Sequence, residues 1–119
     1  MFPRDFPPAY VSARPQIEPV LSSRGFRLTS EHFEPESFGS AYAEYRKDDF
    51  WLRLIWDGKD GWLSIDVART KGHYPGHADW KDLELELGRR PPGIFRLDPA
   101  SLPSRIGEIR EAVAQAIPT

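Results

Sequence analysis

Tyr42, Glu44, Trp51, Arg53, Trp62 and Asp66 all fall within residues 42–66, at the alternating spacing of strand residues that share a face. Two carboxylates, a guanidinium and three aromatic rings can do two kinds of work there. They can grip another protein, because Trp, Tyr and Arg bring large contact area with few rotors and dominate interface hot spots. They can also move a proton, with Glu44 or Asp66 as general base, which requires a shifted carboxyl pKa that no neighbouring motif supplies. A solvated face carrying cross-strand ion pairs, each contributing ~0.2–1 kcal/mol, is the plainer account of the same residues.

A second constellation is His73-Tyr74-Pro75-Gly76-His77-Ala78-Asp79. His73, His77 and Asp79 are three donors of the kind that bind zinc or another divalent ion. Histidines four apart share a side only on a helix, and Pro75 and Gly76 forbid one, so two exposed loop histidines are the simpler reading. His32, between Glu31 and Glu34, reads as an edge or surface residue. Carboxylates gather at Asp57 and Asp60 and again at Asp79, Asp82, Glu84 and Glu86, where they could attract a basic partner. The alternation with leucine predicts Glu84 and Glu86 as the wet side of a strand.

Several chemistries lack the residues they need. None of the nine serines sits in a GxSxG elbow, and neither HExxH, GxGxxG nor GxxxxGK[ST] occurs. No cysteine is present, which removes disulfides, thiolate nucleophiles and Cys-based zinc sites. Sixteen Lys and Arg against eighteen Asp and Glu leave a net charge of −2, without the basic excess that a nucleic-acid binder uses to displace counterions. No apolar run approaches the ~20 residues of a membrane span, and the start lacks the pattern of a secretory signal. The expectation is a cytoplasmic protein with no cofactor, no membrane and no nucleic acid.

The elements that would position these residues follow from the hydrophobic pattern. With 119 residues, 39% apolar and 29% charged, the chain has the makings of one folded domain. Residues 40–69 predict a three-stranded meander with turns at Lys47-Asp48-Asp49 and at Asp57–Gly61. Around the second turn, partners whose numbers sum to 119 pair Trp56 with Leu63, Leu54 with Ile65 and Leu52 with Val67. A two-residue loop at Lys47 and Asp48 gives a sum of 95 and pairs Tyr45 with Phe50, Ala43 with Leu52 and Ala41 with Leu54. Both registers gather the apolar residues on one face, and a one-residue slip would scatter them. The other face then carries a row of Tyr42, Arg53 and Asp66 beside a row of Glu44, Trp51 and Ala68.

Residues 1–9, with Pro3, Pro7 and Pro8, predict an extended arm pinned by Phe2, Phe6 and Tyr10. A helix is expected over 14–24, with Pro15 in its first turn and Gly25 closing it. Strands are expected at 26–33 and 83–87, with a short edge strand at 94–97. A last helix, capped by Ser101 or Asp98, carries the stripe Ile106, Ile109, Val113, Ala116 and Ile117. Strands in succession flanked by helices predict an α+β domain: one antiparallel sheet of about five strands, with an N-terminal and a C-terminal helix on one face.

The small α+β frame without catalytic motifs resembles bacterial immunity and other inhibitor-like proteins in architecture alone, a likeness that carries no residues across. The expected function is a non-catalytic interaction module. Its outer sheet face would bind another protein or a second copy of itself through Tyr42, Trp51 and Trp62, with Arg53, Glu44 and Asp66 fixing register. The alternative is a small-ligand or metal-binding protein, or a weak enzyme, that uses the loop at 70–80. Two exposed tryptophans on one face are unusual unless something covers them, so that face is either a partner's seat or lies beneath another part of the chain.

Overall fold

The computed structural model describes residues 6–88, 100 and 102–118. The chain runs α1 (Pro8–Ser23), β1 (Arg27–Glu34), β2 (Ser40–Lys47), β3 (Phe50–Asp57), β4 (Trp62–Arg69), a 3-10 turn (His77–Asp79), β5 (Lys81–Asp82), α2 (Leu83–Glu86) and α3 (Leu102–Ala116). The five strands form one antiparallel sheet in the order β1-β2-β3-β4-β5. This is the α+β architecture expected, with both long helices on the inner face.

That inner face is built by alternation. Ala41, Ala43 and Tyr45 of β2, Leu52 and Leu54 of β3, and Leu63, Ile65 and Val67 of β4 are all buried in one core. Ala9, Tyr10, Ala13, Ile17 and Leu21 of α1 and Ile109, Ala112 and Val113 of α3 close it from above. Where α1 meets the sheet, polar groups satisfy one another. Tyr10 donates to Glu31 at 2.5 Å, Tyr45 donates to Glu18 at 2.7 Å, and Arg14 lies within 3.2 Å of Glu18 and 2.8 Å of Glu31. Burial first, and the carboxylate partner second, raises both phenol pKa values well above the usual tyrosine range.

Helix α1 starts six residues earlier than expected. Pro8 occupies the first turn, where its missing N–H is one of the helix's unpaired donors anyway and its fixed φ suits the helix. Pro15 and Pro19 lie inside the helix, both on its exposed side, where water can serve the carbonyls they leave unpaired. Only Phe6 and Tyr10 of the expected aromatic arm are in view. Phe6 packs on Tyr10 at 5.4 Å and on Phe33 at 5.3 Å between ring centroids; Phe2 lies outside the described residues.

The β3–β4 register is the expected one at every pair, from Trp56↔Leu63 to Leu52↔Val67. The β2–β3 register differs. Lys47 pairs with Phe50 and Tyr45 with Leu52, so Asp48 and Asp49 form the loop and partner numbers sum to 97. Asp48 takes the left-handed conformation (φ 52), which aspartate tolerates better than lysine, so Lys47 stays in the strand. A shift of two keeps every side chain on its face but regroups the rows: Glu44, Arg53 and Asp66 now stand in line, as do Arg46, Trp51 and Ala68. At the β3–β4 turn Gly58 is obligatory, because a Cβ there would lie 2.0 Å from the Phe38 carbonyl oxygen.

The expected strand at 83–87 is a helix. Only Lys81 and Asp82 pair with β4; the chain then turns into α2 with Leu83 in the core and Leu87 against it. Leu and Glu are strong helix formers and indifferent strand formers, so alternation alone misled the reading. Glu86, expected on a strand's wet side, pairs with Arg69. The expected strand at 94–97 and the caps Asp98 and Ser101 lie outside the described residues. Among those described, no helix is long and apolar enough to cross a membrane.

Candidate functional site: the outer face of the sheet

Strands β1 to β4 turn Ser30, His32, Tyr42, Glu44, Arg46, Trp51, Arg53, Ile55, Trp62, Ser64 and Asp66 away from the helices. The chain itself covers part of this face. From the end of β4 the segment 70–80 folds back over the sheet, and its side chains lock onto Trp51, Glu44 and Arg53.

Trp51 is 6% exposed. Its indole N–H donates to Thr70 Oγ1 at 3.1 Å, and Thr70 donates in turn to the His73 carbonyl at 2.6 Å. Tyr74 stands edge-on to the indole at 5.3 Å, and the Arg46 guanidinium lies over the Trp51 ring at 4.8 Å. Two further bonds tie the segment to the β2–β3 turn: Thr70 N donates to the Asp49 carbonyl at 2.9 Å and Gly72 N to Asp49 Oδ1 at 3.2 Å.

Glu44, only 3% exposed, is the polar anchor of this strap. Its carboxylate accepts from Ser30 Oγ at 2.9 Å and from the Tyr74 hydroxyl, and Arg53 Nη1 lies 3.6 Å away. Arg53 also reaches Asp66 at 3.7 Å and lies beneath the Trp80 ring at 4.1 Å. A buried carboxylate needs this many partners, because an unpaired charge removed from water costs several kcal/mol, on the order of the whole stability of a domain. Burial, and then the bond to Glu44, push the Tyr74 phenol up to about 12. The carboxylate is therefore committed to holding the strap.

Toward the β3–β4 turn the segment 70–80 does not cover the face. Tyr42, Ile55, Trp62 and Asp66 are partly exposed there, and His32 stacks on Tyr42 at 5.0 Å. A groove of about 460 Å³ runs over Ile55, Trp62 and Ser64, edged by Asp57, Asp60, Asp66 and Asp82. Asp66 and Asp82 face each other across β4 and β5.

Of the six residues expected to bind, Glu44 and Trp51 are thus buried under the strap, Arg53 bridges both halves, and Tyr42, Trp62 and Asp66 border open surface. The structure does not gather His73, His77 and Asp79. His73 and His77 are exposed, and Asp79 Oδ2 accepts from Gly76 N at 2.8 Å to cap the 3-10 turn. Among the described residues no group of three or more His, Cys, Asp or Glu side chains is placed to hold a metal ion. The sequence reading missed Thr70, Tyr74 and Trp80 as the strap's anchors. The available signal was two rings in a Pro- and Gly-containing loop with no periodicity of their own to bury them.

Comparison of the chain with protein-family models, with curated proteins and with solved structures finds no match in any of the three.

Proposed function

We propose that this chain is a non-catalytic interaction module whose open outer face, centred on Trp62, Ile55 and Tyr42, binds another protein. The observation that carries this reading is the partial exposure of these three apolar side chains on one face. The strap buries Trp51, while Trp62, Ile55 and Tyr42 stand partly exposed on neighbouring strands toward the other turn. Rigid aromatic residues beside a polar rim are the usual make-up of an interface centre. Asp57 and Asp60 at the edge of the groove favour a partner that presents lysine or arginine on an apolar surface. They disfavour a symmetric pair of this chain across the same face, since a two-fold axis would set one copy's aspartates against the other's.

The test is capture from an extract of the source cells, comparing the natural chain with Trp62→Ala and with Lys59→Gln as a surface control. A protein retained by the natural chain and by the Lys59 variant, and lost with Trp62→Ala, supports the reading. Hot-spot truncation should weaken such a complex by ~2 kcal/mol or more, about thirtyfold. Equal retention by Trp62→Ala, or a sedimentation profile in which the chain dimerises through Trp62, would remove it.

A further inference from the structure

We propose that the cleft at the β2–β3 turn, at the opposite end of the strands from Trp62, is a binding site for a ligand carrying a phosphoryl group. The cleft encloses about 570 Å³ and is walled by Arg27, Leu28, Arg46, Lys47 and Asp48, with Gly25 and Thr29 completing it. Arg27 and Arg46 stand directly opposite one another across β1 and β2. Like charges in that position weaken strand pairing, so the sheet gains nothing from having both.

Several arginines elsewhere on this fold are matched by carboxylates, although among the described residues Arg24, Lys59, Lys71, Lys81 and Arg110 are in no such pair. Arg53 lies between Glu44 and Asp66, Arg69 meets Glu86, and Arg14 meets Glu18 and Glu31. Among the described residues, Arg27, Arg46 and Lys47 form no such ion pair. The nearby carbonyls at the end of α1 are already occupied, Leu21 O by Arg24 N and Phe26 N, and Ser22 O by Gly25 N.

The cleft is also organised. Arg46 Nε donates to the Asp48 carbonyl at 2.7 Å while its guanidinium lies on the Trp51 ring, which fixes the fork and leaves its terminal nitrogens to a ligand. The Lys47 stem runs beside Gly25, where its Cε would lie 3.5 Å from a Cβ. A bulge between Leu28 and Ser30 breaks the ladder at the cleft, and Thr29 is held by donating to the Glu44 carbonyl at 3.1 Å. Leu28, 42% exposed, offers an apolar wall to the ligand's organic part.

Charge selects the ligand class. Three cations against the single carboxylate of Asp48 leave an excess of two (3 − 1). One carboxylate ligand would neutralise half of that, whereas a phosphate monoester carries about −1.5 to −2 at neutral pH and takes the arginine fork in two-pronged fashion.

The experiment titrates the whole chain with phenyl phosphate and follows backbone amides by NMR. Saturable shifts at residues 25–29 and 46–48 are expected. Phthalate, an aromatic dianion without phosphorus, should bind at least ~10-fold more weakly. Arg27→Gln should weaken phenyl phosphate by ~10-fold, the Arg27→Gln/Arg46→Gln pair should abolish saturation, and Lys59→Gln should leave it unchanged. Absence of saturation with the natural chain, equal binding of phthalate, or undiminished binding by the double variant would each overturn the assignment. Thermal unfolding supplies the fold control. Relief of the like-charge pair predicts an unchanged or higher midpoint for Arg27→Gln, and a lowered one would make Arg27 a structural partner and sink the proposal.

Discussion

The two halves of the outer face carry the same kinds of residue and differ in what happens to them. Toward the β2–β3 turn, Trp51, Glu44 and Arg46 lie beneath or beside a strap that supplies Thr70, Tyr74 and Trp80 as partners. Toward the β3–β4 turn, Trp62, Tyr42 and Asp66 border a groove. A tryptophan on the polar side of a sheet is therefore no evidence of binding by itself. It becomes evidence when the ring stays partly exposed beside a neighbour that the strap buries.

The largest expected contrast is between the two tryptophans. Trp51→Ala removes a buried ring along with its bond to Thr70 and its contact with Tyr74, and should destabilise the domain by ~3–5 kcal/mol. Equilibrium urea unfolding measures it. A loss below about 1 kcal/mol would mean that the strap does not seal this half, and the two halves would no longer differ.

Next comes the anchor of the strap. Glu44→Gln keeps the shape but removes the charge that Arg53 and Tyr74 share, leaving Arg53 with Asp66 and the Trp80 face. A cost of about 2 kcal/mol is expected, below that of a fully buried pair because Arg53 keeps a second carboxylate. The same variant should speed amide hydrogen exchange in 71–80 while leaving β3 protected, since the strap opens before the sheet does. Uniform acceleration would show that Glu44 supports the whole fold and not the strap.

Much of this arrangement was legible in the sequence, for reasons specific to each part. Strand alternation with a short, glycine-containing turn left one workable register for β3 and β4, so the inner face could be read residue by residue. The β2–β3 turn was ambiguous because Lys47-Asp48 and Asp48-Asp49 both give two-residue loops with the same apolar face. Only the ease with which aspartate takes positive φ decides between them, and that regrouping brings Glu44 level with Arg53. The strand expected at 83–87 failed because a five-residue alternation of Leu and Glu suits one helical turn equally well. The strap was not legible at all. Its anchors pair with residues 19 to 30 positions away, and no local period encodes such contacts.

A pH profile sharpens the comparison without changing the packing. Tyr74 ionises near 10 when unfolded and is pushed up to about 12 in the fold, so the folded state holds its proton more tightly. Its contribution is then fully present below pH 10 and is lost as the pH rises toward 12. The stability difference between the natural chain and Tyr74→Phe should be constant up to pH 10 and shrink above it. Tyr10 and Tyr45 are raised as well, but they are common to both proteins and cancel from the difference. A difference independent of pH through this window would show that the Tyr74 hydroxyl does not bond Glu44.

The smallest expected effect on the fold belongs to Trp62→Ala, and its smallness is the point. Trp62 opens β4, is partly exposed and borders the groove, so truncation removes less buried area than at Trp51. A stability change within about 1 kcal/mol is expected by urea unfolding, against several for Trp51→Ala. The pair of variants thus separates two uses of one residue type on one face. If Trp62→Ala cost as much as Trp51→Ala, both rings would be core, the groove would be a packing defect, and the open half would have no claim to a partner.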